Sequence, residues 1–216
     1  MTNLSVAVIT AHREIPTLKY SIASLRKWFK EKLYIYAEPA KYELSANDFI
    51  MEVHKNKKGC FKNFDYALKQ LLKKENDYIL VVSDDVVYYR EIDKIIKDVI
   101  ETNLDGVYCL FANKGNVTSN TFGWNEINQG WNNWNGLYLM NKKTAEMIVN
   151  SETYIDHLEN YAANKQIDAC IGLCCKVLEI PMYFHNPSLS YTIGVTSTIN
   201  HKGYIDGLNF AKNYEK

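Results

Sequence analysis

The chain has 216 residues, 47% of them hydrophobic, which is ample for one compact core and usual for a single domain. Lys plus Arg and Asp plus Glu each total 25, so the formal charge is zero and nothing favours nucleic acid or an anionic membrane as partner. The 5 cysteines form no regular framework, no stretch reaches the roughly 18 apolar residues of a membrane span, and no basic-then-apolar leader opens the chain. The expectation is a cytoplasmic protein with no membrane span and a small-molecule partner.

Leu4 to Thr10 reads as a buried strand that leaves into the polar group Thr10-Ala11-His12-Arg13. Pro16 suits the first turn of a helix, and Leu18, Ile22, Leu25, Trp28 and Phe29 follow at helical spacing. Leu33 to Ala37 and, more weakly, Phe49 to Val53 read as strands, with Glu38 to Asp48 as a surface connection. Lys57-Lys58-Gly59-Cys60 then introduces a helix carrying Phe61, Phe64, Leu68, Leu71 and Leu72 on one side.

Within Tyr78 to Tyr88 a run of strand-forming residues stops at two adjacent carboxylates, Asp84 and Asp85. An apolar run rich in β-branched residues is the mark of a strand covered on both faces, as in parallel sheets flanked by helices. Ligands in such sheets bind beyond the carboxyl ends of the strands, which puts both carboxylates at the mouth of a crevice. Adjacent like charges repel unless water or a shared cation intervenes, and carboxylate oxygens suit a hard ion such as Mn²⁺ or Mg²⁺. The plainer reading is that the pair solvates a strand end.

Ile92, Ile95, Ile96, Val99 and Ile100 mark a further helix, and Gly106 to Phe111 a further strand. Alternation of this kind predicts an α/β fold with a mainly parallel sheet covered by helices. From Ala112 to Asn135 periodicity disappears, and Trp124, Trp131 and Trp134 stand among asparagines. Large rings beside amides suit stacking on sugar faces, although each could equally anchor a loop to the core. Gly136 to Met140 resumes as a strand, Asn141 is placed to cap a helix through Val149, and helices are expected over Tyr154 to Ala163 and Ile167 to Leu178. Asp168 lies in the first turn of the last of these, where the helix dipole alone would favour it. Cys170, Cys174 and Cys175 read as small buried thiols, and a short strand runs from Ile180 to Phe184 ahead of His185.

This order of features resembles the nucleotide-sugar glycosyltransferases of the GT-A fold, and within them most nearly the glycosyltransferase domains of large algal viruses. The resemblance rests on Val6 to Arg13 after the first strand, on Gly59 and Asn63 opening the helix before the central strand, on Ser83-Asp84-Asp85 as a variant of the family's DxD motif, and on Pro187 to Ser197. It implies a GT-A-like, Rossmann-related mixed sheet in a single domain over 1–216, with a nucleotide-binding half to about 111 and an acceptor-binding half from 112. It implies a metal-dependent enzyme that moves a sugar from a nucleoside diphosphate, UDP favoured, to a hydroxyl of a glycan or glycoprotein, with inversion.

On that resemblance Thr10, Ala11, Arg13, Lys58, Gly59, Asn63, Ser83 and Asp84 would hold the nucleotide-sugar. Asp85 would bind Mn²⁺ or Mg²⁺, with Asp84 on metal or ribose and His185 and His201 as further candidate ligands. Asp168 would be the catalytic base, and Trp124, Trp131 and Trp134 would meet the acceptor. Two other readings are a non-catalytic carbohydrate-binding module and a sugar nucleotidyltransferase. The second should carry a glycine-rich phosphate loop where Thr10 to Arg13 stands, and the Gly-x-Gly-x-x-Gly of a dinucleotide-binding enzyme is absent there too.

Overall fold

A computed structural model describes residues 3–13, 16–44, 49–88, 91–103, 105–112, 121–127, 137–160 and 167–193. The first half alternates as expected: β1 (Leu4–Thr10), α1 (Leu18–Trp28), β2 (Leu33–Ala37), β3 (Phe49–Val53), α2 (Cys60–Leu72) and β4 (Tyr78–Ser83). Then come β5 (Val86–Tyr88), α3 (Ile92–Thr102), β6 (Val107–Cys109), β7 (Gly123–Glu126), β8 (Tyr138–Asn141), α4 (Lys142–Val149), α5 (Glu152–Asn160), α6 (Ile167–Val177), β9 (Met182–Asn186) and β10 (Ser190–Thr192).

Eight strands form one mixed sheet in the order β3-β2-β1-β4-β8-β6-β9-β7. Strands β1 to β4, β6 and β9 run one way; β7 and β8 run against them. β8 can run antiparallel because it returns from the same end of the sheet at which β6 stops, where Leu110 N–H donates to the Leu137 carbonyl at 3.1 Å. β8, from the second half of the chain, lies between β4 and β6 from the first, so the sheet interleaves the two halves.

Side chains alternate across the sheet. Ala7, Ile9, Ile79 and Val81 pack on one face with α2, α4 and α6, and Val6, Val8, Leu80 and Val82 pack on the other with α1 and α3. Asn141 caps α4 as anticipated, its side chain accepting from Thr144 N–H at 2.7 Å. Among the described residues no helix is long and apolar enough to cross a membrane.

β4 stops at Asp84-Asp85 as expected, and beyond that turn Val86–Tyr88 pairs with β10 in a separate two-stranded sheet. Three local expectations needed correction. Pro16 precedes the helix, which begins after Thr17. The strand expected from Ile180 starts at Met182, because Glu179 adopts a left-handed φ of 54° and Ile180 N–H donates to the Cys175 carbonyl, closing α6 in a Schellman-type cap. Finally, β7 forms within the stretch that carried no periodicity, paired with β9 from Gly123↔Asn186 to Glu126↔Tyr183.

Candidate functional site

β2 and β3 lie on one side of β1 and β4 on the other, so the connections diverge at the β1–β4 join. That divergence opens a crevice at the carboxyl ends of the strands. Ile9 is in register with Ser83, which places the next residues, Thr10 and Asp84, face to face. Thr10 Oγ1 donates to Asp84 Oδ2 at 2.6 Å, and Arg13 grips the same carboxylate, Nη2 to Oδ1 at 2.8 Å and Nε at 3.2 and 3.3 Å. Arg13 Nη2 also stands 3.1 Å from Asp85 Oδ2, while Ser83 Oγ donates to Asp85 Oδ1 at 2.8 Å.

The two carboxylates are not equivalent. The Asp84 side chain is 3% exposed and that of Asp85 28%, with Arg13 at 9% between them. Burial pushes the Asp84 carboxyl above its ordinary range, opposed by Arg13 and Thr10 and assisted by the charge of Asp85. Burial alone would lower Arg13, but Asp85 and Asp84 outweigh it and hold the guanidinium firmly protonated. The like-charge repulsion that suggested a shared divalent ion is therefore relieved here by a guanidinium from the β1 exit loop.

The donor set still fits a hard cation. Asp85 reaches solvent, its oxygens keep lone pairs beyond the hydrogen bond from Ser83 and the ion pair with Arg13, and Mg²⁺-type ions are commonly held by one or two carboxylates with phosphate and water completing the shell. Among the described residues no group of three or more His, Cys, Asp or Glu side chains is disposed to hold a metal by itself.

The entry to α2 forms one wall. The Glu38 carboxylate, just past β2, accepts from Lys58 N–H at 2.9 Å and Gly59 N–H at 2.8 Å. Gly59 has φ 82° and ψ 163°, a conformation open essentially to glycine alone. Asn63 is buried: its amide donates to the Tyr36 and Thr10 carbonyls at 3.0 and 3.4 Å, and its oxygen meets His54 Nε2 at 2.9 Å. It ties three strand ends together from within. Lys58 contributes its backbone to this wall, while its ammonium lies over the Tyr66 ring, 4.7 Å from the centroid. Ala11 is half-buried in the loop between Thr10 and Arg13.

Opposite stands Asp168, half-buried in the first turn of α6, its Oδ1 accepting from the Tyr138 hydroxyl at 2.8 Å. Tyr138 opens β8 and is fully buried, so it holds the carboxylate from below. Cys60 is the first residue of α2. Its surface is exposed, yet surrounding protein, then Asp168, Asp85 and Asp84, push its thiol up to about 11.

His185 is not brought to this cleft. It sits on β9, separated from β4 by β8 and β6, about 14 Å along the sheet at ordinary strand spacing. Its Nδ1 pairs with the Pro187 carbonyl at 2.7 Å, and its ring meets Phe122 and Trp124 edge-on. Trp124 is half-buried on β7, also edge-on to Tyr108. His201, Trp131 and Trp134 lie outside the described residues.

Glu38, His54, Cys60 and Tyr138 were not singled out by sequence reasoning. Three had a legible signal: Glu38 and His54 are the first residues past β2 and β3, the position Asp84 occupies past β4, and Cys60 opens the helix after a glycine. Tyr138 had none, because its partner is 30 positions away.

Compared with models of protein families and with curated protein sequences, the chain matches none.

Proposed function

We propose that the protein is a glycosyltransferase of the GT-A type, moving a sugar from a nucleoside diphosphate, UDP favoured, to a hydroxyl of a glycan or glycoprotein acceptor. The observation that carries this reading is the Asp84–Asp85 pair, gripped by Thr10 and Arg13 at the point where the strand connections diverge. Acids at a switch point suit a diphosphate held through a cation on one side and a proton taken from an acceptor on the other.

In this reading Thr10 and Arg13 fix Asp84, and Ser83 fixes Asp85, so the acidic corner is preorganised before the donor arrives. A Mn²⁺ or Mg²⁺ ion on Asp85 would supply a Lewis acid for the charge growing on the departing diphosphate. Asp168 takes the proton of the acceptor hydroxyl as its oxygen attacks the anomeric carbon from the face opposite the diphosphate, giving inversion by single displacement. The hydrogen bond from Tyr138 orients the carboxylate for that transfer. Phe122, exposed just before the edge strand β7 and edge-on to His185 as Trp124 is, offers an aromatic surface to a glycan. All 5 cysteines are free thiols, in keeping with a reducing compartment such as the cytoplasm.

Calorimetric titration with UDP and a panel of UDP-sugars, with and without Mn²⁺, on the wild type and Asp85→Ala tests the reading. Metal-dependent binding that disappears in Asp85→Ala is the expected result. Undiminished affinity in that variant removes the cation from Asp85. Absence of nucleotide binding under every condition removes the transferase reading, and glycan binding without nucleotide at the Phe122 edge then becomes the leading account.

A further inference from the structure

Arg13 does two things that an ordinary surface ion pair does not. Its guanidinium is 9% exposed, and its Nη2 is shared between two carboxylates, 2.8 Å from Asp84 Oδ1 and 3.1 Å from Asp85 Oδ2. Nε reaches both oxygens of Asp84, and Nη1 is buried with no hydrogen-bond partner among the described residues. A planar fork on two acids fills the place between them that a cation would take. Asp85 is the more exposed of the pair and is touched by Arg13 through one long contact, so it is the carboxylate from which the guanidinium is more easily drawn.

We propose that Arg13 is the built-in counter-cation of the Asp84–Asp85 pair and competes with a divalent cation for Asp85. The inference rests on the reading of Asp85 as a cation ligand. A divalent ion at Asp85 meets a fixed positive charge next to the oxygen it needs, which lowers its affinity. A diphosphate changes that balance. Its oxygens are good acceptors for guanidinium, and Nη1 is a donor that no described residue accepts from. As the guanidinium turns toward phosphate, Asp85 is released to the cation, and donor and cation bind with positive coupling. Arg13 is thus a positioning residue that keeps the acidic corner from loading ions that arrive without donor.

The test is titration of the protein with Mn²⁺ alone, free Mn²⁺ being counted by electron paramagnetic resonance, on the wild type, Arg13→Gln and Arg13→Gln/Asp85→Asn. Arg13→Gln should bind Mn²⁺ about tenfold tighter than the wild type or better, since a full charge within contact distance of the ligand oxygen has gone. The gain should vanish in the double variant. Equal affinity in the wild type and Arg13→Gln, or a gain that survives Asp85→Asn, overturns the proposal. Should Arg13→Gln fail to fold, Arg13→Lys keeps the charge but not the fork that spans both acids; it should still bind Mn²⁺ more tightly than the wild type, and no gain counts against the proposal. On the wild type itself, the Nε–Hε resonance of Arg13 should stay in place when Mg²⁺ alone is added at low millimolar concentration; displacement there overturns the competition. A parallel titration with UDP separates the two ideas. Tight Mn²⁺ binding by Arg13→Gln with no UDP binding by any variant sustains the role of Arg13 and removes the glycosyltransferase reading.

Discussion

The Thr10 hydroxyl donates to Asp84 Oδ2 at 2.6 Å across 74 positions of sequence and the join between β1 and β4. Thr10 is therefore part of what makes a buried carboxylate tolerable. Thr10→Val keeps the shape and removes the donor, leaving Arg13 as the one hydrogen-bond partner of Asp84 among the described residues. We expect a loss of about 1–3 kcal/mol, read from urea unfolding, because a buried charged acceptor is left short of a hydrogen bond. A change within error of zero would mean that Arg13 alone satisfies Asp84.

Gly59 holds φ 82° and ψ 163°, and a Cβ built on it would touch nothing within 4 Å. Gly59→Ala therefore isolates the backbone cost. Destabilisation of about 1–3 kcal/mol is expected from conformation alone, since this region is essentially closed to other residues. Gly106→Ala is the contrasting case: its Cβ would meet the Tyr183 ring at 2.9 Å and the Pro181 carbonyl at 3.0 Å, adding a clash. It should be the more destabilising of the two in thermal unfolding.

Asp168→Asn keeps an acceptor for the Tyr138 hydroxyl but cannot take a proton. With the proposed chemistry, transfer should slow by about 10²–10⁴-fold while nucleotide affinity holds. Normal turnover in this variant would assign the base elsewhere, with Asp156 in α5 the next acid to examine.

Burial lowers His185 below its ordinary value of 6.5, with the bond to the Pro187 carbonyl opposing the shift. The native state thus binds this proton less readily than the unfolded chain. The contribution of His185 is complete above the ordinary value and is lost as pH falls through the lowered one. Melting temperatures compared at pH about 7.5 and about 5.5 should fall on acidification, and His185→Gln should flatten that slope. An unchanged slope would place the acid sensitivity in other groups.

Much of the frame was legible because it is written locally. The apolar runs of β1, β2 and β4 and the helical spacing of α1, α2 and α3 follow from neighbours within a few residues, and their burial on both sheet faces is the physical counterpart of those patterns. β7 and β10 were not legible. Each is short and has no apolar alternation, and each is a strand because β9 or β5 lies alongside to share hydrogen bonds.

The site divides in the same way. Asp84, Asp85 and Asp168 could be picked out because a carboxylate at a strand end or in a helix's first turn has a local meaning. What each one touches could not. That Thr10 and Arg13 grip Asp84, that Tyr138 holds Asp168, that Asn63 is turned inward, and that His185 stands three strands away are set by strand order and register. By itself the sequence determined the alternating elements and the residue types at their ends, because short-range sterics and hydrophobic periodicity act over a few positions. Only the tertiary structure decided that the two acids share a guanidinium, because hydrogen bonds and charge interactions depend on distance in space, and Arg13 and Asp84 are 71 positions apart.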